Sequence, residues 1–345
     1  MGEKIKVLIV DDAAFMRKAI ADVLGRDSGI EVVGTARNGL EGLEAIKKLN
    51  PDVITLDIDM PVMDGLTGIR HIMIESPVPI VVLSSLFTDG AITFDALRLG
   101  VVDFIPKPSG AVSTDIEKSQ RQLIDRIKLA SSVNLANIRR VRLMNWDINE
   151  RLSARYGYQQ LDYLLTLGTT LSGPNTVIRL LSNLPPRLPA AVVVIQEISP
   201  KIITAFAAQF DASVPWRVRV AEDDMAIEQG TCYISSYEKP FRIQATTDGN
   251  ACLKQVAGTA APLDLLFSSA AETFHQNTIG VLLTGIGEDG ARGFAHIRES
   301  EGVTLAQDTQ CCVYPNLTHN AIQRGAVDIV LDEIKLPQAI ASIMT

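Results

Sequence analysis

The chain has 345 residues, of which 47% are hydrophobic and 21% are charged, a composition that predicts a globular protein of about two domains. Its net charge of −8 argues against nucleic acid as the main partner. The opening sequence MGEKIKVLIVDD is not a signal peptide, because the apolar run VLIV is short and two aspartates follow it. No stretch approaches the roughly 18 apolar residues of a membrane span. We therefore expect a cytoplasmic protein without direct membrane insertion.

Residues 1–108 alternate short β-branched runs with amphipathic stretches. The runs predict buried strands at KVLIV, EVVGTA, VITLDI, IVVLSS and DFIPKP. Helical periodicity lies between them, for example in AAFMRKAIADVLGR and GLEGLEAIKKL. Strands that alternate with helices predict a doubly wound α/β domain with a parallel sheet, in which functional residues lie at the carboxyl edge.

A basic segment over residues 109–160 separates this domain from a second one. It holds nine basic and five acidic side chains, whereas residues 1–108 and 161–345 are both acidic, and we expect it to be a helical linker. Over residues 161–345 strands and helices alternate again, which predicts a second doubly wound domain. The β-rich runs TCYIS and PFRIQA flank the turn SYEKP and predict a β-hairpin inserted into that domain.

Five polar residues follow strand ends in the first domain. Asp11 and Asp12 end the first predicted strand, Asp57 ends the third, Ser84 ends the fourth and Lys107 follows the fifth. Three crowded carboxylates repel one another unless a cation lies between them, and Mg²⁺ prefers oxygen ligands of this kind. A carboxylate beside a metal ion and a lysine is suited to attack a phosphoryl donor.

The motifs VDD, LDIDMPVMDG, VVLSS and DFIPKP resemble the receiver domain of response regulators. The resemblance covers about residues 4–108 and implies a flavodoxin-like fold and phosphorylation of Asp57 by a histidine kinase. It implies Mg²⁺ ligation by Asp11, Asp12, Asp57 and the backbone carbonyl of Asp59. It also implies that the switch positions are Ser84, Phe104 and Lys107.

With the segments LGTTLSGP, VVVIQEISP, VLLTGIGEDGARG and AVDIVL, nearly the whole chain resembles the CheB family of chemotaxis regulators. That family joins a receiver to a methylesterase domain that hydrolyses methyl esters of receptor glutamates and deamidates certain receptor glutamines. The resemblance implies a Ser-His-Asp triad in a doubly wound sheet. It also implies two partners, a histidine kinase of a chemosensory pathway and a methyl-accepting receptor or a related chemosensory protein.

The triad is degenerate in this chain. Where the family has Gly-Ala-Ser-Thr-Gly-Gly-Pro, this sequence has Gly-Thr-Thr-Leu-Ser-Gly-Pro, so Thr170 replaces the nucleophilic serine and Ser172 replaces a glycine. Glu197 replaces the histidine, and the acid is retained as Asp289. A glutamate is a poor base, since its ordinary pKa is about 4.3. Burial would raise that pKa, but Asp289 would then be a second carboxylate nearby.

Two functions remain open at this stage. The favoured one is a phosphorylation-controlled regulator whose second domain has lost esterase catalysis and acts by binding or signalling. The alternative is an active methylesterase or glutaminase that uses Thr170 with an unusual base, either Glu197 or His319, since His319 follows the loop YPNLT. A DNA-binding output is disfavoured, because we find no helix-turn-helix segment and the carboxyl-terminal region is acidic.

Overall fold

The computed structural model describes residues 3–84, 90–107, 114–141, 161–247 and 249–344. Side chains of the helix that begins at Thr114 are described from residue 119 onward. Of the expected basic linker, residues 109–113 and 142–160 lie outside the described residues, and residues 114–141 are described. The chain divides into two compact units: Met1–Phe87 with Asp95–Arg140, and Thr88–Phe94 with Val141–Thr345.

The first unit is built around a parallel sheet of five strands. The strands are β1 (Ile5–Val10), β2 (Ile30–Ala36), β3 (Val53–Leu56), β4 (Ile80–Ser84) and β5 (Asp103–Pro106). The helices are α1 (Ala14–Leu24), α2 (Gly39–Leu49), α3 (Gly65–Glu75), α4 (Gly90–Leu99), which crosses the division between the units, and α5 (Thr114–Ser131). The strand order β2-β1-β3-β4-β5 is the flavodoxin-like order, which confirms the fold expected from the sequence.

Local sequence sets the helix starts around this sheet. Asn38 accepts a hydrogen bond from the Glu41 amide (3.0 Å) and begins α2. Asp64 accepts one from the Thr67 amide (2.8 Å) and begins α3. Each side chain satisfies an amide that has no partner within its helix. Because α3 follows β3 after a short loop, its cap fixes the loop that carries Asp57.

The second unit contains a parallel sheet of seven strands in the order β14-β13-β12-β6-β7-β9-β8. Its strands are β6 (Tyr163–Gly168), β7 (Ala190–Gln196), β8 (Arg217–Val220), β9 (Thr231–Ser236), β12 (Thr278–Leu282), β13 (Val303–Gln307) and β14 (Ile329–Leu331). Its helices are α6 (Gly173–Asn183), α7 (Ile203–Ser213), α8 (Pro262–Phe274), α9 (Ala291–Glu299), α10 (Asn316–Gln323) and α11 (Leu336–Ile343). The second doubly wound domain is therefore confirmed.

The inserted hairpin is present, but its strands differ from those expected. It consists of β10 (Phe241–Ala245) and β11 (Ala251–Gln255), which pair antiparallel. The run TCYIS was wrongly assigned to it, because β9 pairs in parallel with β7 and β8 in the main sheet. All six residues of β9 are buried, and a two-stranded hairpin would leave such a strand partly exposed.

The chain order of the second sheet creates a reversal between β6 and β12. After β6 the sheet grows through β7 toward β8, and with β12 it grows in the opposite direction toward β14. Ligand sites of open α/β sheets form at the carboxyl ends of the two strands at such a reversal. The segment with Thr170 follows β6 and the segment with Asp289 follows β12, so both lie at this crevice.

Candidate functional site

The acidic residues of the first unit meet at the carboxyl edge of its sheet. Oxygen atoms of Asp11, Asp12 and Asp57 all lie within 4.8 Å of one another. Lys107 reaches the same point, with its Nζ 2.6 Å from Asp11 Oδ2 and 2.8 Å from Asp57 Oδ2. Asp57 is only 4% exposed, whereas Asp12 faces solvent. The structure therefore brings together the four charged residues that the strand ends indicated.

Burial governs the electrostatics of this pocket. It raises the pKa of Asp57, although the hydrogen bond from Lys107 acts in the opposite direction and the charge of Asp11 adds to the rise. Burial also acts to lower the pKa of Lys107, but its hydrogen bonds to Asp11 and Asp57 outweigh this and raise that pKa. One ammonium is shared between two carboxylates, so the pocket keeps an excess of negative charge.

This donor set fits a magnesium ion. Carboxylate oxygens at the edge of a pocket, one of them facing water, are the ligands that Mg²⁺ takes while retaining several waters. Asp59 lies in the loop after β3 with an exposed side chain. The Gly65 amide donates to the Ile58 carbonyl (2.8 Å) and holds this loop close to Asp57. A side chain at Gly65 would meet the Asp57 carbonyl at 2.3 Å, so the loop requires glycine there.

The other two residues expected at switch positions, Ser84 and Phe104, lie on β4 and β5. Ser84 is buried at the end of β4, and its carbonyl accepts a hydrogen bond from the Lys107 amide (3.0 Å). Phe104 is half-buried on β5, opposite Val82 in the register of the two strands. Ser84 therefore lies beside Lys107, which contacts Asp57. Phe104 lies on β5, the edge strand next to the strand of Ser84.

In the second unit, the hydroxyl of Thr170 is held by the segment after β12. Its Oγ1 donates to the Ile286 carbonyl (3.0 Å) and accepts from the Ile286 amide (2.7 Å). Thr170 is buried, and the loop with Ile286 is itself held by a hydrogen bond from the Gly285 amide to the Tyr314 carbonyl (2.9 Å). The hydroxyl thus links two loops across the crevice.

The turn between β6 and α6 has an unusual backbone. Ser172 has φ of 59°, in the left-handed region that favours glycine, and it is buried. Serine therefore occupies, in this chain, a backbone conformation that suits the glycine of the family motif. Gly173 is required for a different reason, since a Cβ there would meet Thr169 Oγ1 at 1.9 Å.

The carboxylate of Asp289 holds the first turn of α8. Its Oδ2 accepts from the Leu263 amide (2.7 Å), and its Oδ1 accepts from the Asp264 amide (2.9 Å). The Tyr237 hydroxyl donates to the same Oδ2 at 2.8 Å. Burial raises the pKa of Asp289, although these hydrogen bonds act to lower it. All three donors stabilise the charged form that caps the helix.

Asp264 accepts hydrogen bonds from the start of the next helix, α9, in the same way. It lies in the first turn of α8 and accepts from the Gly290 amide (3.0 Å) and the Gly293 amide (2.8 Å) at the start of α9. Asp289 therefore caps the helix that carries Asp264, and Asp264 caps the helix that follows Asp289. This reciprocal cap accounts for a carboxylate at position 289 without any catalytic role.

The three positions of the family triad do not form a hydrogen-bonded relay. Glu197 is half-buried after β7, and its charge acts on the Tyr237 hydroxyl. Burial is the main influence that raises the pKa of Tyr237, and the carboxylates of Asp289, Glu197 and Asp264 add to it. Among the described residues, the bonds of Thr170 go to Ile286 and those of Asp289 go to Tyr237, Leu263 and Asp264, so no hydrogen bond joins Thr170 to Asp289.

None of the four histidines is placed to act as a base for Thr170. His319 is exposed on α10, and its amide donates to the Pro315 carbonyl (2.8 Å). Among the described residues, no hydrogen bond joins it to Thr170 or to Asp289. The other histidines are also exposed: His71, His275 and His296. The structure thus gives Thr170 no imidazole partner.

Sequence inspection missed Tyr237 and Asp264 as parts of this crevice. Asp264 carried a local signal, since an acid two residues after the proline of PLDLL is typical of the first turn of a helix. Tyr237 carried none, because it bonds to Asp289, which lies 52 positions away in the chain. Ile286 lies in the motif TGIGEDG, but its bonds to Thr170, 116 positions away, carried no local signal.

Comparison with known proteins identifies relatives for both units. The family described as CheB methylesterase matches residues 165–340, and the family described as response regulator receiver domain matches residues 7–114. A protein-glutamate methylesterase/protein-glutamine glutaminase of Geobacillus kaustophilus is 36% identical, over 99% of both chains. One of the same description from Pyrococcus horikoshii is 33% identical, over 99% of this chain and 94% of the relative.

Among solved structures, the CheB methylesterase catalytic domain of Thermotoga maritima matches with a TM-score of 0.50 and 27% sequence identity. The match covers 52% of this chain and 98% of that domain. None of the helices in the described part of the chain combines the length and the apolar character needed to cross a membrane.

Proposed function

This chain belongs to the CheB methylesterase family, and we propose that phosphorylation of Asp57 controls a carboxyl-terminal domain that has lost ester hydrolysis and acts by binding or signalling. It is a CheB-type response regulator of chemotaxis with a receiver domain. The phosphoryl donor would be a histidine kinase of a chemosensory pathway. The binding partner would be a methyl-accepting receptor or a related chemosensory protein.

The observation that carries the loss of catalysis is the double hydrogen bond of Thr170. A hydroxyl nucleophile needs a base that accepts its proton, and here that proton is donated to the Ile286 carbonyl. A peptide carbonyl is far too weak a base to remove it. The Ile286 amide is also occupied by Thr170, so it does not stabilise an oxyanion while this bond persists.

The receiver supports a working phosphorylation input. The Asp57 carboxylate would attack phosphorus while the bond from phosphorus to the donor breaks, and the Lys107 ammonium would neutralise charge on the transferred oxygens. Asp11, Asp12, Asp57 and the Asp59 carbonyl would hold Mg²⁺. When bound, that ion supplies positive charge for the same oxygens.

Methanol release from a receptor fragment with methylated glutamates tests the proposal. The full chain is assayed with acetyl phosphate and Mg²⁺, beside Asp57→Asn and Thr170→Ala, with the Geobacillus kaustophilus relative as the positive control. We expect acetyl phosphate to modify the unaltered chain but not Asp57→Asn, and no methanol above the protein-free rate. Methanol release that Thr170→Ala abolishes would instead establish an active esterase with an atypical base.

A further inference from the structure

We propose that Tyr237 is the residue that keeps Asp289 out of a catalytic triad, because its hydroxyl bonds the carboxylate oxygen that a base at position 197 would need. This proposal rests on the proposed loss of catalysis and names a specific residue behind it. Replacement of the serine and the histidine would then not be the only obstacle to ester hydrolysis in this crevice.

The hydrogen bonds of Asp289 carry the argument. A carboxylate oxygen has two lone pairs, and both lone pairs of Oδ2 have donors, the Leu263 amide at 2.7 Å and the Tyr237 hydroxyl at 2.8 Å. The Oδ1 atom accepts from the Asp264 amide at 2.9 Å. Two of the three donors are backbone amides in the first turn of α8, so Tyr237 is the one side chain that a base would have to displace.

The position of Tyr237 is fixed by the main chain. Its amide donates to the Gln196 carbonyl at 2.9 Å, so its backbone lies beside the residue that precedes Glu197. The ring packs on the hydrophobic core that includes Leu263 and Phe267 of α8. The carboxylate of Glu197 acts electrostatically on its hydroxyl, which places the side chain at 197 near the bond from Tyr237 to Asp289.

The chemistry of the pair explains why it is not a substitute for histidine and aspartate. A tyrosine hydroxyl that donates to a carboxylate holds its own proton and accepts none from a nucleophile at neutral pH. Asp289 therefore serves α8 and Tyr237, and the orienting role that a triad carboxylate plays toward an imidazole is unfilled.

The test introduces a base and asks whether it reaches Asp289. The full chain carrying Thr170→Ser and Glu197→His is compared with the same chain carrying Tyr237→Phe in addition. The titration of the introduced imidazole is followed by NMR through its ring protons. We expect Tyr237→Phe to raise the pKa of that imidazole by about 1, because the freed carboxylate would then pair with it.

Tyr233→Phe, in place of Tyr237→Phe, is the matched control. It also removes a tyrosine hydroxyl, from a fully buried residue, but one that donates to the Ala226 carbonyl at 2.8 Å, accepts from the Glu228 amide at 2.9 Å and does not bond Asp289. We expect it to leave the imidazole titration unchanged. An identical imidazole titration with Tyr237 and with Phe at this position would overturn the proposal, whether or not either chain hydrolyses esters.

Methyl ester hydrolysis gives a second readout. We expect the chain with all three substitutions to release methanol at least about tenfold faster than the chain with two, since an oriented imidazole contributes by such factors. Equal release from both chains would overturn the role of Tyr237. Release by the unaltered chain would instead contradict the proposed loss of catalysis, so the two failures are distinguishable.

Discussion

Thr170 and Ile286 are joined by two hydrogen bonds that share one oxygen atom. The Thr170 hydroxyl donates to the Ile286 carbonyl at 3.0 Å and accepts from the Ile286 amide at 2.7 Å. The Thr170 side chain thereby satisfies both the amide and the carbonyl of Ile286, which lies 116 residues away in the sequence. In this arrangement the hydroxyl is a structural link between the loops after β6 and β12.

Replacement of Thr170 by valine tests this structural role. Valine keeps the shape and removes the hydroxyl, so the amide and carbonyl of Ile286 lose their partner. We expect the free energy of unfolding of the full chain to fall by about 1–2 kcal/mol, measured by urea denaturation. Thr170→Ser keeps the oxygen and is the control, with an expected loss below about 1 kcal/mol. Equal losses of stability in Thr170→Val and Thr170→Ser would show that the hydroxyl does not stabilise the fold through Ile286.

Asp289→Asn is expected to change how stability depends on pH. Burial raises the pKa of Asp289 above 3.8, so between 3.8 and the raised pKa the folded state binds a proton that the unfolded state does not. This contribution to stability is fully present below 3.8 and is lost as pH rises through the raised pKa. The stability of the unaltered chain relative to Asp289→Asn should therefore increase as pH falls through that window.

Urea denaturation at pH 7 and at about pH 4.5 gives the free energy of unfolding of both chains. The effect is the change, between the two pH values, in the difference between the unaltered chain and Asp289→Asn. At pH 7 we expect Asp289→Asn to cost about 1 kcal/mol through weaker capping of α8. Glu288→Gln removes the neighbouring charge from an exposed side chain that pairs with Arg324, and it controls for net charge. If the Asp289→Asn difference did not vary with pH, the assignment of the raised pKa would be wrong.

Val62 is expected to be a strained position that substitution relieves. It lies in the loop after Asp57 with φ of 69° and is 84% exposed, so a β-branched side chain adopts a left-handed conformation without compensating burial. We expect Val62→Gly to raise the free energy of unfolding by about 0.5–1 kcal/mol. Ile334→Asn is the control, because it removes a comparably exposed apolar side chain without relieving strain. We expect it to raise the free energy of unfolding by less than Val62→Gly does. Loss of stability in Val62→Gly would contradict the strain.

Asp12 is expected to contribute to magnesium binding more than to folding. It is the exposed member of the acidic cluster, so its removal leaves the ion pairs of Lys107 with Asp11 and Asp57 in place. We expect Asp12→Asn to weaken Mg²⁺ binding at least about tenfold, measured by titration calorimetry of the full chain. Glu44→Gln, which removes an exposed carboxylate on α2, should bind Mg²⁺ as the unaltered chain does. Unchanged affinity in Asp12→Asn would exclude Asp12 as a ligand.

Much of this architecture follows from local patterns in the sequence. Short β-branched runs alternating with amphipathic helices specified both parallel sheets, because buried parallel strands require continuous apolar runs. The same pattern indicated that Asp11, Asp57 and Lys107 meet, since the carboxyl ends of parallel strands lie at one edge of a sheet. It also located the loops that carry Thr170 and Asp289.

Tertiary structure alone decided how those loops are held. The run TCYIS, assigned to a hairpin from its neighbouring turn, pairs instead with β7 and β8, because burial on both faces favours the interior of a sheet. The bonds from Tyr237 to Asp289 and from Thr170 to Ile286 join distant parts of the chain. Sequence periodicity reports which face of an element is buried, but hydrogen-bond partners depend on where separate loops meet, and only the packed fold determines that.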